Sequence, residues 1–122
     1  MAKYVRARLL IEQSEASDYS RAVKYSFEDT WTPAGFIVFD IAVTNAVQTL
    51  SVATLFAAID KVVVVNNHAS VAFKLTVTVD GSAITMDLAA GEAVMLDDVG
   101  LVNFTVDGDA AASSAQVIVW GT

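Results

Sequence analysis

Between residues 71 and 106 the chain changes polarity at almost every residue and breaks that rhythm at a few fixed points. In "VAFKLTVTV" (71–79), Val71, Phe73, Leu75, Val77 and Val79 alternate with Ala72, Lys74, Thr76 and Thr78. A period of two belongs to a strand with one buried face. Asp80-Gly81 follows, a dipeptide that tolerates the positive φ of a tight hairpin turn. "AITMDL" (83–88) resumes the alternation through Ile84, Met86 and Leu88, so the pair reads as a hairpin. The next stretch, "LAAGEAVML" (88–96), consists mostly of good helix formers. A helix there would put Gly91 at its centre, at a cost of about 1 kcal/mol. It would also lack an apolar stripe at helical spacing. Leu88 ends one alternating run, and Val94 and Leu96 begin another. Ala89-Ala90-Gly91-Glu92 is therefore expected to be the turn of a second hairpin, and 93–97 a strand.

The same logic extends in both directions. Asp97-Asp98-Val99-Gly100 is further punctuation. "LVNFTV" (101–106) carries Val102, Phe104 and Val106 on one face, and "DGDAAASS" (107–114) is a small polar loop. "AQVIVWG" (115–121) places Ala115, Val117 and Val119 on one face, with Ile118 and Trp120 on the other. Upstream, "GFIVFDIAVT" (35–44) and "KVVVVNN" (61–67) are β-rich, and four consecutive valines imply a central strand covered on both faces. "TLSVAT" (49–54) reads as a strand, and "LFAAID" (55–60) as one helical turn or a bend. "KYVRARLLIE" (3–12) alternates Val5, Ala7, Leu9 and Ile11 against Tyr4, Arg6, Arg8, Leu10 and Glu12, and reads as a strand. Residues 14–27 stay open. Ser14 or Ser17 could cap a short helix using Tyr19, Ala22 and Val23, or Val23, Tyr25 and Phe27 could line a strand. Thr32-Pro33-Ala34-Gly35 is a turn. Eight or nine strands with short links make an all-β chain, an antiparallel β-sandwich with the jelly roll as candidate topology. Its expected core includes Phe73, Leu75, Val77, Met86, Val102, Phe104 and Val117. At 122 residues it fits a single domain, 1–122, with 1–12 as an N-terminal arm or edge strand.

Composition narrows the chemistry. There are no cysteines, which removes disulfides, thiolate metal sites and cysteine nucleophiles together. His68 is the one histidine, so no multi-histidine metal site can form, and as a turn residue it needs no functional role. Serine, histidine and aspartate are all present, but no nucleophile-elbow motif is. "DGD" (107–109) and Asp97-Asp98 match fragments of calcium loops without the full twelve-residue pattern. Glu12, Glu15 and Glu28 with Asp29 could supply a carboxylate pair for sugar hydrolysis, but nothing in the sequence singles one out. Trp31 and Trp120 could stack on sugars, a role weighed against core or interface packing. No catalysis, cofactor or metal is expected. The N-terminus shows no secretory signal. "VQTLSVATLFAAI" is too short and too polar to cross a bilayer.

Charge is unevenly placed. The formal net charge is −7. Residues 1–74 hold seven bases and seven acids, whereas residues 75–122 hold seven acids and no base. An acidic half disfavours nucleic acid. With 55 % apolar and 17 % charged residues, part of the surface is expected to be covered by partners.

Three segments carry a resemblance. Val65-Asn66-Asn67 ends a hydrophobic strand in asparagine. Leu88-Ala89-Ala90-Gly91-Glu92 is a turn of leucine, small residues and Gly-Glu, and Val117-Ile118-Val119-Trp120-Gly121 closes a last hairpin. Over residues 61–122 this pattern resembles the small β-sandwich virion proteins of tailed bacteriophages. The resemblance implies a structural virion protein made in the host cytoplasm: a head decoration (cement) protein, or a neck or tail component. It implies partners among other copies of itself and other virion proteins, in a homo-oligomer, with neither nucleic acid nor membrane. The alternative is a β-sandwich binding module, for example for carbohydrate. The candidate assembly contacts are Lys3, Val5, Arg6, Arg8, Leu9 and Ile11, which combine basic charge with an apolar edge strand that invites pairing with another chain.

Overall fold

A computed structural model of the chain describes residues 4–13, 15, 17–18, 23–51, 55–79, 81–97, 103–108 and 111–122. The chain divides into two compact units, Met1–Pro33 and Ala34–Thr122. Among the described residues every regular element is a strand.

The first unit is a two-stranded antiparallel ribbon of β1 (Val5–Gln13) and β2 (Val23–Trp31). The strand alternative for residues 23–27 is therefore the one adopted. Residues 14, 16 and 19–22, where the helix alternative would have lain, are outside the described residues.

The second unit contains β3 (Gly35–Val43), β4 (Gln48–Ser51), β5 (Ile59–Asn66), β6 (Phe73–Val79), β7 (Ser82–Leu88), β8 (Ala93–Asp97), β9 (Asn103–Asp107) and β10 (Ser113–Gly121). They form two four-stranded antiparallel sheets, ordered β3-β10-β5-β8 and β4-β9-β6-β7. Apart from the β6–β7 hairpin, consecutive strands cross from one sheet to the other. The first and last strands of the unit thus lie side by side. This is the wrapped topology of a jelly roll.

Alternation places the core. Val43, Val62, Val64, Ala115, Val117 and Val119 from the first sheet face Phe73, Leu75, Val77, Leu88, Phe104 and Val106 from the second, and all are buried. Met86 is half-buried and packs against this cluster. Val102, expected in the core, lies outside the described residues, as do Asp80 and residues 98–101. The stretch 49–54 is a strand at Gln48–Ser51, and 52–54 are outside the described residues. Residues 55–58 form a turn and bends, not a helical turn, and β5 begins at Ile59.

Both glycines sit in turns as expected, but the Ala89–Glu92 turn, expected to close a hairpin, instead carries the chain from β7 in one sheet to β8 in the other. Gly81 has φ +80° where β6 returns into β7, and Gly91 has φ +81° between β7 and β8. Such values strain any residue with a Cβ. The second turn is tied further. The Ala89 N–H donates to the Glu92 carboxylate at 2.9 Å and the Glu92 N–H to the Ala89 carbonyl at 3.0 Å. The Gly91 N–H reaches the Asn66 carbonyl at 2.8 Å.

Candidate functional site

The ribbon of the first unit sorts its residues by register. One alternating set of cross-strand partners is Val5–Trp31, Ala7–Asp29, Leu9–Phe27, Ile11–Tyr25 and Gln13–Val23. The other is Arg6–Thr30, Arg8–Glu28, Leu10–Ser26 and Glu12–Lys24. Directly paired positions of antiparallel strands share a face, so the ribbon has one mostly apolar and one mostly polar face. Leu9 and Leu10 are adjacent, on opposite faces, and both are exposed. A two-stranded ribbon by itself is at best marginally stable in water.

Of the candidate contacts, Val5 is half-buried, and Arg6, Arg8 and Leu9 are exposed. Ile11 lies in β1 with its side chain outside the described residues, and Lys3 is outside them entirely. The strand expected over 3–12 pairs with β2 of its own ribbon.

Two arginines converge on one carboxylate: Arg8 Nε donates to Glu28 at 2.7 Å, and Arg6 Nε lies 3.7 Å from its other oxygen. Two cations on one anion leave the polar face of β1 basic. Nearby, Tyr4, Val5, Arg6, Thr30, Trp31 and Thr32 line a groove of about 400 Å³. Glu28 and Asp29, weighed as a carboxylate pair, are consecutive strand residues and so point to opposite faces.

The outer faces of the sandwich differ in kind. Across the second sheet, Thr49, Thr105, Thr76 and Thr85 form one continuous row. The hydroxyls of Thr76 and Thr85 hydrogen-bond at 2.9 Å. In the next row but one, Lys74 stands between Asp107 and Asp87. Across the first sheet the corresponding rows are Phe36–Trp120–Lys61–Asp97, Val38–Ile118–Val63–Met95 and Asp40–Gln116–Val65–Ala93, so the middle row is wholly apolar and each flanking row carries an aspartate at one edge. Phe36, Val38 and Met95 are 50, 46 and 46 % exposed. Trp120, Ile118, Val63 and Val65 are half-buried, and Lys61 is buried despite its outward register position. The four valines thus lie in an internal strand, with Val62 and Val64 in the core and Val63 and Val65 on an apolar exterior.

At one end of the sandwich, buried Asn66 ties the loop between β5 and β6 to the end of β7. Its Nδ2 donates to the Val71 carbonyl at 2.9 Å and the Leu88 carbonyl at 2.8 Å, while its Oδ1 accepts the His68 N–H at 3.0 Å. His68 is not idle in its turn. Its Nδ1 accepts the backbone N–H groups of Ser70 and Val71 at 3.1 and 3.0 Å. Both side chains are occupied in holding loops. Among the described residues, no three His, Asp or Glu side chains gather as metal ligands would. No helix among them is long and apolar enough to cross a membrane.

The expectations from sequence leave the β2 half of the ribbon open between helix and strand, and they do not set the two outer faces apart. The signal was present, in apolar residues occupying both alternating phases of β3, β5 and the end of β10.

No family model matches the chain, and no curated protein does. Among solved structures the chain is similar to one of the Bacillus endospore appendages, described as a novel family of disulfide-linked pili. That likeness has 11 % identity over 99 % of this chain and 90 % of that one, with a TM-score of 0.50. A cupin domain of Drosophila melanogaster CENP-C aligns at 12 % identity over 88 % of this chain and 73 % of that one, with a TM-score of 0.47. At such identities the likeness is one of fold.

Proposed function

We propose that this chain is a non-catalytic structural protein that assembles with copies of itself, as a component of a tailed-bacteriophage virion on the head or at the neck or tail. The observation that carries the assembly reading is the apolar exterior of the β3-β10-β5-β8 sheet. Monomeric proteins rarely leave so continuous an apolar surface to water, and where they do it marks an interaction site. The virion setting rests on the resemblance of residues 61–122. With no cysteine in the chain, copies cannot be joined by disulfides as in the pili of similar fold. Packing, hydrogen bonds and charge must hold any assembly.

Sedimentation of the purified protein with electron microscopy of the same sample tests the first part. Discrete oligomers or lattices are expected, and a monomer at every concentration would overturn it. Mass spectrometry of particles from the producing cell tests the second, with the chain expected in stoichiometric amounts.

The groove beside Tyr4 and Trp31 supports a second reading, a carbohydrate-binding module, because an exposed ring over a polar cleft suits a sugar. Glycan-array binding abolished by Tyr4→Ala would favour it over assembly.

A further inference from the structure

The strand β3 is an unguarded edge. Among the described residues it is bonded on one side only, to β10. It is nine residues long, "GFIVFDIAV", with no proline, no lysine and Asp40 as its single charge. Phe36, Ile37 and Val38 are consecutive, so they alternate between faces, and all three are exposed. Natural sheets blunt such edges with charge, proline, bulges or a covering segment.

We propose that β3 is a strand-addition site whose occupant is β1 of a second copy of this chain. The proposal deepens the assembly reading, on which it rests. Both strands have nine residues. Laid antiparallel over their full length, Val5 pairs with Val43 and Gln13 with Gly35. Three properties then match at once. The set Val5, Ala7, Leu9 and Ile11 falls beside Val43, Ile41, Phe39 and Ile37, the phase of β3 that turns toward its core. The set Arg6, Arg8, Leu10 and Glu12 falls beside Ala42, Asp40, Val38 and Phe36, the outer phase. The lone acid of β3, exposed Asp40, stands opposite Arg8, whose neighbour Arg6 already shares Glu28 with it. Arginine carries five donors in a fork and can bridge two carboxylates. A slip of one residue would put the apolar set on the outer face and the charges over the core.

Connectivity assigns the strand to another copy. Within β1–β2, Trp31 lies opposite Val5. The proposed register puts Gly35 opposite Gln13, about 27 Å further along the strand. The link through Thr32, Pro33 and Ala34 spans at most about 14 Å. A chain therefore cannot make this pairing with its own β3. A second copy can, and the sheet then grows to β2-β1-β3-β10-β5-β8.

The cysteine-free background gives a direct test. Leu10 and Val38 are both exposed and become direct partners in this register. One preparation carries Leu10→Cys and another Val38→Cys. They are mixed and oxidised, then run without reductant, while sedimentation records association and circular dichroism records folding. A Leu10–Val38 cross-linked dimer is expected. Leu10→Cys mixed with Ala42→Cys, about 13 Å out of register, should give none. In addition, Asp40→Arg should weaken association about tenfold, and adding Arg8→Glu should restore it. Association without the 10–38 cross-link, or equal cross-linking at 10–42, overturns this pairing and leaves the assembly reading standing. A protein that stays monomeric overturns both.

Discussion

The two sheets of this sandwich share one core and have the same number of strands, yet their outer faces are opposites. One presents a row of four threonines and a lysine between two aspartates. The other presents Phe36, Val38, Ile118, Val63 and Met95, with Asp40 and Asp97 only at the edges of the flanking rows. Hydroxyls and paired charges hold their places against water at little cost, whereas exposed apolar area stays unfavourable until something covers it. The difference separates what the sandwich needs in order to fold from what it needs in order to meet another molecule.

Substitutions can break or sharpen that comparison. The largest effect belongs to the shared core. Phe104→Ala, at a fully buried ring, should lower unfolding free energy by about 3–5 kcal/mol in a urea titration. Ile118→Ala on the apolar exterior should cost about 1 kcal/mol in a monomeric sample, less than a buried truncation because the side chain is half-covered. Equal losses would mean that this exterior behaves as a second core, and the comparison would fail.

Asn66→Ala comes next, at about 2 kcal/mol, since it removes the side-chain partners of the buried Leu88 carbonyl and of the His68 N–H, while the Val71 carbonyl keeps the Ser113 hydroxyl at 2.8 Å. Because Asn66 serves both sheets, its loss should leave oligomer geometry unchanged in sedimentation once folding is restored by lower temperature.

On the polar exterior, Thr76→Val removes one hydroxyl of the Thr76–Thr85 pair and should cost about 0.5 kcal/mol. Combined with Thr105→Val it gives this face an apolar row, and new self-association by light scattering is expected.

The smallest effect on stability should come from Val38→Lys with Met95→Lys, within about 0.5 kcal/mol of the parent because both residues stand in water in the isolated subunit. The same pair should dissolve any assembly that uses this face. Intact oligomers would show that copies meet elsewhere.

Much of this was legible in the sequence, and unevenly so. The strands of the threonine-bearing sheet alternate strictly, and "VAFKLTVTVDGSAITMDL" sets out β6, its two-residue turn and β7 with their inner face. The turn at Ala89–Glu92 followed from Gly91 and from the alternating runs on either side of it, but not its crossing between sheets. Strands of the other sheet were found as strands, but "GFIVFD", "KVVVVN" and "VIVW" are apolar in both phases. Double-phase apolarity fixes burial on two sides without naming the second cover. The ribbon was half legible. Residues 3–12 alternate clearly, while residues 14–27 fit a short helix through Tyr19, Ala22 and Val23 as well as a strand through Val23, Tyr25 and Phe27. What decided for strand was the register with β1, a pairing of residues up to 26 positions apart that no local propensity encodes. The contributions of Asn66 and His68 escaped notice because a hydrogen bond across 22 residues leaves no periodic trace.

The place of β10 has a consequence for the order in which the molecule is made. It is the last strand of the sandwich to be synthesised, yet it lies inside its sheet, between β3 and β5. Until it emerges from the ribosome, those two strands have no common neighbour, and both remain open. Its arrival then completes two ladders at once, nine residue pairs with β3 and seven with β5. Contacts between the ends of a unit close its longest loop, which slows folding and leaves the partly made chain adhesive. Synthesis therefore imposes a checkpoint: the sheet that would receive another copy acquires its final form only when the rest of the sandwich already exists.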